Sequence, residues 1–181
     1  MFDPNILEEI SKMKEKNIAV EILRKLMAEQ ISLYKRTNVV KSEKFSEKIS
    51  KLMNAYYNGL ITNEEVIKEL LEAAQEIANL HEEGEKLGLT TEELAFYDAL
   101  TKPQAIKDFY ENDVLVEMTR ELTEMLRKNR TIDWQKKETA RATMRKMVKR
   151  LLKKYKYPPE QYENAIEVVI GQCEMWTDNC A

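Results

Sequence analysis

The residues of this sequence best placed for chemistry are a row of bases. Arg141, Arg145, Lys149 and Lys153 recur every four residues, a spacing that puts them on one face of an α-helix. Lys137, Lys146, Arg150 and Lys154 add to the same basic surface. At about 100° per residue, Ala140, Met144, Met147, Val148, Leu151, Leu152 and Tyr155 fall within an arc of roughly 140°, and nearly all the remaining circumference is basic. No acid stands four residues from any member of the row, and like charges at that spacing repel by about a few tenths of a kcal/mol per pair. What such a row can do is neutralise negative charge. Three neutralisers are open: the acidic remainder of the chain, an acidic protein surface, and a phosphate backbone. Aromatic residues do not alternate with the bases inside the helix, so a nucleic acid would be met by sequence-independent phosphate contact rather than by stacking of single-stranded bases.

Catalytic chemistry has no comparable support. The one histidine, His81, continues the apolar stripe of Ile67, Leu70, Ala74 and Ile77. A zinc-protease helix would need a second histidine four residues on, where Glu85 stands, so His81 reads as the edge of a core. Glu64-Glu65 and Glu92-Glu93 each sit in the first turn of a helix, where the macrodipole favours negative charge and capping accounts for them. Cys173 falls on an apolar helix face and is expected to be packed and inert; Cys180 follows seven residues later, with no further thiolate or imidazole near to complete a metal set. There is no Gly-rich phosphate loop. No catalytic residue, metal or cofactor is expected in this chain.

The elements that must position these residues are helical. Only four Gly and four Pro interrupt 181 residues, leaving little room for hairpins. Asp3-Pro4 opens a short helix to about Lys14, and a second covers about 15–36. Phe45, Ile49, Leu52, Met53 and Tyr56 form the next stripe, which stops at Asn58-Gly59. Two capping boxes, Thr62-Asn63-Glu64-Glu65 and Thr90-Thr91-Glu92-Glu93, each open a helix. One helix is expected over about 104–128, and Thr131 or Asp133 is expected to cap the long basic helix that runs to about Tyr155. Tyr157-Pro158-Pro159 breaks it, and a last helix carries Tyr162, Ala165, Ile166, Val169, Cys173 and Trp176. The fold class is all-α: an irregular bundle of about seven to eight helices, taken as a single domain over 1–181.

With 43% hydrophobic and 34% charged residues the chain has material for a core and is too apolar for disorder. No apolar run reaches membrane length, and two cysteines do not make a secreted framework, so no membrane contact and a cytoplasmic setting are expected. The net charge of −3 conceals a segregation. Residues 127–156 hold 13 Lys and Arg against two acids, leaving 16 bases and 30 acids elsewhere. Such a division suggests a basic surface aimed at a polyanion or an acidic partner.

Several separated motifs also carry a resemblance. Glu93 through Leu100 (ELAFYDAL), Thr131-Ile132-Asp133-Trp134, Arg141-Ala142 leading into Val148 through Tyr155 (VKRLLKKY), Tyr157-Pro158-Pro159, and the segment from Phe45-Ser46 to Val66-Ile67-Lys68-Glu69-Leu70 resemble the C-terminal helical region of the restriction (motor) subunit of type I restriction–modification enzymes. The likeness runs from about residue 5 to residue 176. It implies a parent subunit that is an ATP-dependent endonuclease and DNA translocase, using ATP and Mg2+ in nuclease and helicase domains none of whose motifs occur here. This region would then be an assembly element, docking the motor on the methyltransferase core of modification and specificity subunits, near double-stranded DNA. The basic residues from Lys137 to Lys154 are the expected DNA contacts. Trp134, at the start of the basic helix, is a core anchor or a partner contact. Phe96 and Tyr97 are adjacent and cannot share a helix face, so one is expected in the core and the other near the surface as a second assembly contact. The alternatives left open are a purely structural support for the helicase lobes and a small-molecule or nucleotide site between helices.

Overall fold

The computed structural model describes residues 2–131 and 133–179, the side chains of 81 and 179 excepted. The sequence readings of His81 as a core-edge side chain and of Cys180 lie outside the described residues. Among those described there are nine α-helices, eight of them seven residues or longer, and no strand, as the scarcity of breakers predicts. The chain separates into two compact units.

The first unit comprises residues 1–35 and 41–86. It holds α1 (Pro4–Ser11), most of α2 (Lys16–Thr37) and of α3 (Val39–Tyr57), and α4 (Asn63–Lys86). The Asp3 side chain caps α1 by accepting from the Asn5 N–H at 2.9 Å. In α4 the expected capping box is present: Glu65 N–H donates to Thr62 Oγ1 at 3.2 Å, and Thr62 N–H donates to Glu65 Oε2 at 2.7 Å. One apolar stripe from each long helix meets in the core, including Leu23 and Met27 of α2, Phe45 and Ile49 of α3, and Leu70 and Ile77 of α4.

The second unit comprises residues 36–40 and 87–181. It contains α5 (Thr91–Leu100), α6 (Gln104–Phe109), α7 (Asn112–Asn129), α8 (Glu138–Lys154) and α9 (Tyr162–Asn179). The Thr90–Glu93 capping box opens α5 with bonds of 3.2 and 2.8 Å. This helix packs against both α7 and α9, while α8 packs against α9 and α7. Within α7, Thr119 and Thr123 are buried yet satisfied, each hydroxyl donating to the carbonyl four residues back.

Three local expectations are corrected here. The stretch 104–128 is two helices, because Tyr110 and Glu111 are both extended between α6 and α7. Tyr110 is held out of the helix by tertiary contact: its hydroxyl donates to the Tyr155 carbonyl at 2.8 Å. Neither Thr131 nor Asp133 caps the basic helix. Asp133 is left-handed (φ 59°) and makes no side-chain cap; a 3₁₀ turn, Trp134–Lys136, follows, Lys137 is extended, and α8 starts at Glu138. The cause is Trp134, whose indole is fully buried and donates to Thr177 Oγ1 at 3.1 Å, fixing the chain before the helix can begin. Finally, Phe96 and Tyr97 are both buried, at 1% and 2% exposure. Helix α5 is covered on two sides, by α7 and α9, so adjacent residues on different faces both enter the core.

Candidate nucleic-acid interface

Helix α8 presents its apolar stripe, Met144, Val148, Leu151 and Leu152, to the core of the second unit. That burial fixes how the bases point, and it sorts them into three groups.

The first group flanks α9. Arg141 Nη1 stands 2.8 Å from Glu174 Oε1, a charge contact out of hydrogen-bond alignment. Arg145 Nη2 donates to Glu167 Oε1 at 2.5 Å and lies 3.8 Å from Glu163, whose other oxygen is 3.6 Å from Lys149 Nζ. Three of the four bases of the expected row are therefore matched by an acidic row on the neighbouring helix. The signal was in the sequence, since Glu163, Glu167 and Glu174 share one helical face. What the sequence lacked was the pairing of α8 with α9.

The second group is Lys154, which faces α7 and donates to both oxygens of Glu121 at 2.7 Å. The Tyr155 hydroxyl donates to the same carboxylate at 2.6 Å. Hydrogen bonds from Lys154 and Tyr155 hold the Glu121 carboxyl below the usual carboxylate range. Burial, helped by the bond to Glu121, pushes the Tyr155 phenol up.

The third group is Lys146, Arg150 and Lys153, exposed along the outward side of α8, with Lys137 exposed at its N-cap. None of these four has an acidic partner among the described residues. The remaining exposed positions of α8 are Glu138, Thr139, Ala142, Thr143 and Lys154, so no aromatic side chain interrupts the stripe.

Beyond this helix, Lys156 is also exposed; it takes a left-handed conformation (φ 57°) where α8 ends. Cys173 is buried, which pushes its thiol up to about 12. Trp134, Phe96 and Tyr97 all belong to the core around α8, and none offers its side chain at the surface. Two surface grooves, of about 320 and 460 Å³, are rich in carboxylates, with Glu72, Glu76 and Glu83 in one and Asp113, Glu117, Glu121 and Glu124 in the other. No group of three or more His, Cys, Asp or Glu that could hold a metal ion occurs among the described residues, and no described helix is long and apolar enough to cross a membrane.

The family model described as type I restriction enzyme HindI endonuclease subunit-like, C-terminal, matches residues 1–179. The chain is 38% identical over 174 residues to the type I restriction enzyme HindI endonuclease subunit of Haemophilus influenzae, covering 96% of this chain and 16% of that protein. It is 33% identical over 149 residues to a protein of Methanocaldococcus jannaschii provisionally named type I restriction enzyme MjaIXP endonuclease subunit, covering 82% of this chain and 14% of that one. The chain thus spans about a sixth of the length of the first relative and less of the second. No solved structure matches it.

Proposed function

The chain belongs to the C-terminal family of type I restriction enzyme endonuclease subunits, and from that premise we propose that it is a non-catalytic assembly domain. In this reading it docks the motor subunit on the methyltransferase core, in a bacterial or archaeal cytoplasm, and lays the outward side of α8 along double-stranded DNA. The observation that carries the DNA contact is the stripe of Lys146, Arg150 and Lys153, basic, exposed and without an acidic partner among the described residues. Phosphate contacts of this kind position a protein on a duplex without reading its sequence.

The parent's ATP and Mg2+ chemistry is assigned elsewhere in the longer subunit. The sequence has no Gly-rich phosphate loop, and no group of His, Cys, Asp or Glu that could hold a metal ion occurs among the described residues. A role for Trp134, Phe96 and Tyr97 in assembly is then indirect, through the shape of the core they fill.

A second reading is favoured by the ion pairs of Arg141, Arg145 and Lys149, which neutralise part of the basic helix within the domain. In it the domain only supports the helicase lobes of its own subunit. Co-sedimentation of the 181-residue chain with a purified modification–specificity complex, with and without duplex DNA, separates the two. The assembly reading expects a stable complex that DNA strengthens. A chain that sediments alone in both conditions would leave the structural reading in place.

A further inference from the structure

We infer that α8 engages the phosphates of one strand of duplex DNA through Lys146, Arg150 and Lys153, while Arg141, Arg145 and Lys149 hold α8 to α9 and contribute little to binding. This deepens the proposed DNA contact and rests on it.

The ion-pair geometry carries the division. Arg141, Arg145 and Lys149 each lie within 4 Å of a carboxylate on α9, at 2.8, 2.5 and 3.6 Å. To meet a phosphate they would have to exchange one anion for another, and the freed carboxylates would repel the incoming strand. Lys146, Arg150 and Lys153 have no such partner among the described residues and stand on the adjoining, more solvent-exposed side of the helix. Their spacing, i, i+4 and i+7, sets like charges beside one another, a repulsion that only an external anion relieves.

The dimensions suit a duplex backbone. Seven residues of helix rise about 10 Å. Each strand of B-DNA presents one charge per about 3.4 Å of axis, so a stripe of that length faces about three phosphates. The exposed face of α8 carries no aromatic side chain to stack on an unpaired base, so nothing on it favours a single strand.

The test is fluorescence-anisotropy titration of the full 181-residue chain with a labelled duplex of arbitrary sequence, and with its single strand, over a range of salt concentrations. Each neutralised phosphate adds about −0.9 to the slope of log K against log salt, so three predict a contribution of about −2.7, or about 40-fold in affinity between 50 and 200 mM salt. The triple variant Lys146→Gln, Arg150→Gln, Lys153→Gln should lose that contribution. The triple variant Arg141→Gln, Arg145→Gln, Lys149→Gln should keep that slope although it removes the same formal charge, the bared Glu163, Glu167 and Glu174 lowering affinity without removing a phosphate contact. Circular-dichroism melts establish that both variants are folded. Equal losses in the two variants would mean that bulk charge alone matters and would overturn the inference. So would a slope unchanged in the first variant, or tighter binding of the single strand, while the broader DNA contact still stood. Absence of wild-type affinity for any DNA would overturn both.

Discussion

Gln172 of α9 completes the start of a helix that begins 133 residues earlier: its Oε1 accepts the Val39 N–H at 2.8 Å. Val39 is the first residue of α3, so its N–H is one of the donors that no helical carbonyl can serve. The same side chain donates from Nε2 to the Thr37 carbonyl at 2.9 Å, and Asn38 beside it donates to Asp98 at 2.6 Å. Gln172 is fully buried. Its substitution by Leu keeps the volume and leaves two backbone groups unsatisfied. A loss of about 2–4 kcal/mol is expected, read as a lower denaturation midpoint in urea.

The acidic row on α9 supplies a gain-of-binding prediction. Glu163→Gln, Glu167→Gln and Glu174→Gln together release Arg141, Arg145 and Lys149 from their carboxylates. These pairs are partly exposed, the Arg141–Glu174 pair least, so stability should fall by about 1 kcal/mol or less for each. Duplex affinity should rise and its salt dependence steepen. Anisotropy showing weaker binding in this variant would contradict the assigned masking.

Lys156 closes α8 in a conformation suited to glycine. Its φ is 57°, its N–H donates to the Lys153 carbonyl at 3.1 Å, and the Tyr157 N–H reaches the Leu152 carbonyl at 2.9 Å. That is the paired bonding of a helix C-terminus with a left-handed residue after the cap. Lys156→Gly should therefore stabilise the chain by up to about 1 kcal/mol, the removed Cβ strain outweighing the added backbone entropy. A thermal melt with a lowered midpoint would rule this out.

Glu121 sets a pH dependence. Its folded carboxyl is held below the ordinary value of 4.5, first by the Lys154 bond and then by the Tyr155 bond. A depressed folded pKa gives stability that is present above the unfolded value and lost as pH falls through the folded one. Glu121→Gln should thus lower the melting temperature slightly at neutral pH, by the equivalent of less than about 1 kcal/mol for so exposed a pair. The gap from wild type should close as pH drops below about 4.5. Melts of both proteins across that range measure it.

Trp134 tests the core. Trp134→Ala removes a fully buried indole and its bond to Thr177, with an expected cost of about 3–5 kcal/mol. Trp134→Phe keeps most of the volume and should cost less than half of that. Equal effects of the two would show that the hydrogen bond, rather than packing, dominates.

Local signals in the sequence determined much of the molecule. The Thr62 and Thr90 capping boxes, the apolar stripes and the scarcity of Gly and Pro set the helical class and most helix starts, because those signals act within one or two turns of chain. The bases of 137–154 and the apolar arc of α8 were legible for the same reason. Tertiary structure alone decided the rest. It split 104–128 at Tyr110, moved the start of α8 past Trp134, and buried Phe96 and Tyr97 together by covering α5 on two sides. Above all it decided which bases are spent inside the fold. Helical spacing places Arg141, Arg145 and Lys149 in one row whatever their surroundings, but only the packing of α9 beside α8 brings Glu163, Glu167 and Glu174 within reach of that row. Electrostatic pairing depends on distance in space, and that leaves Lys146, Arg150 and Lys153 as the bases turned outward.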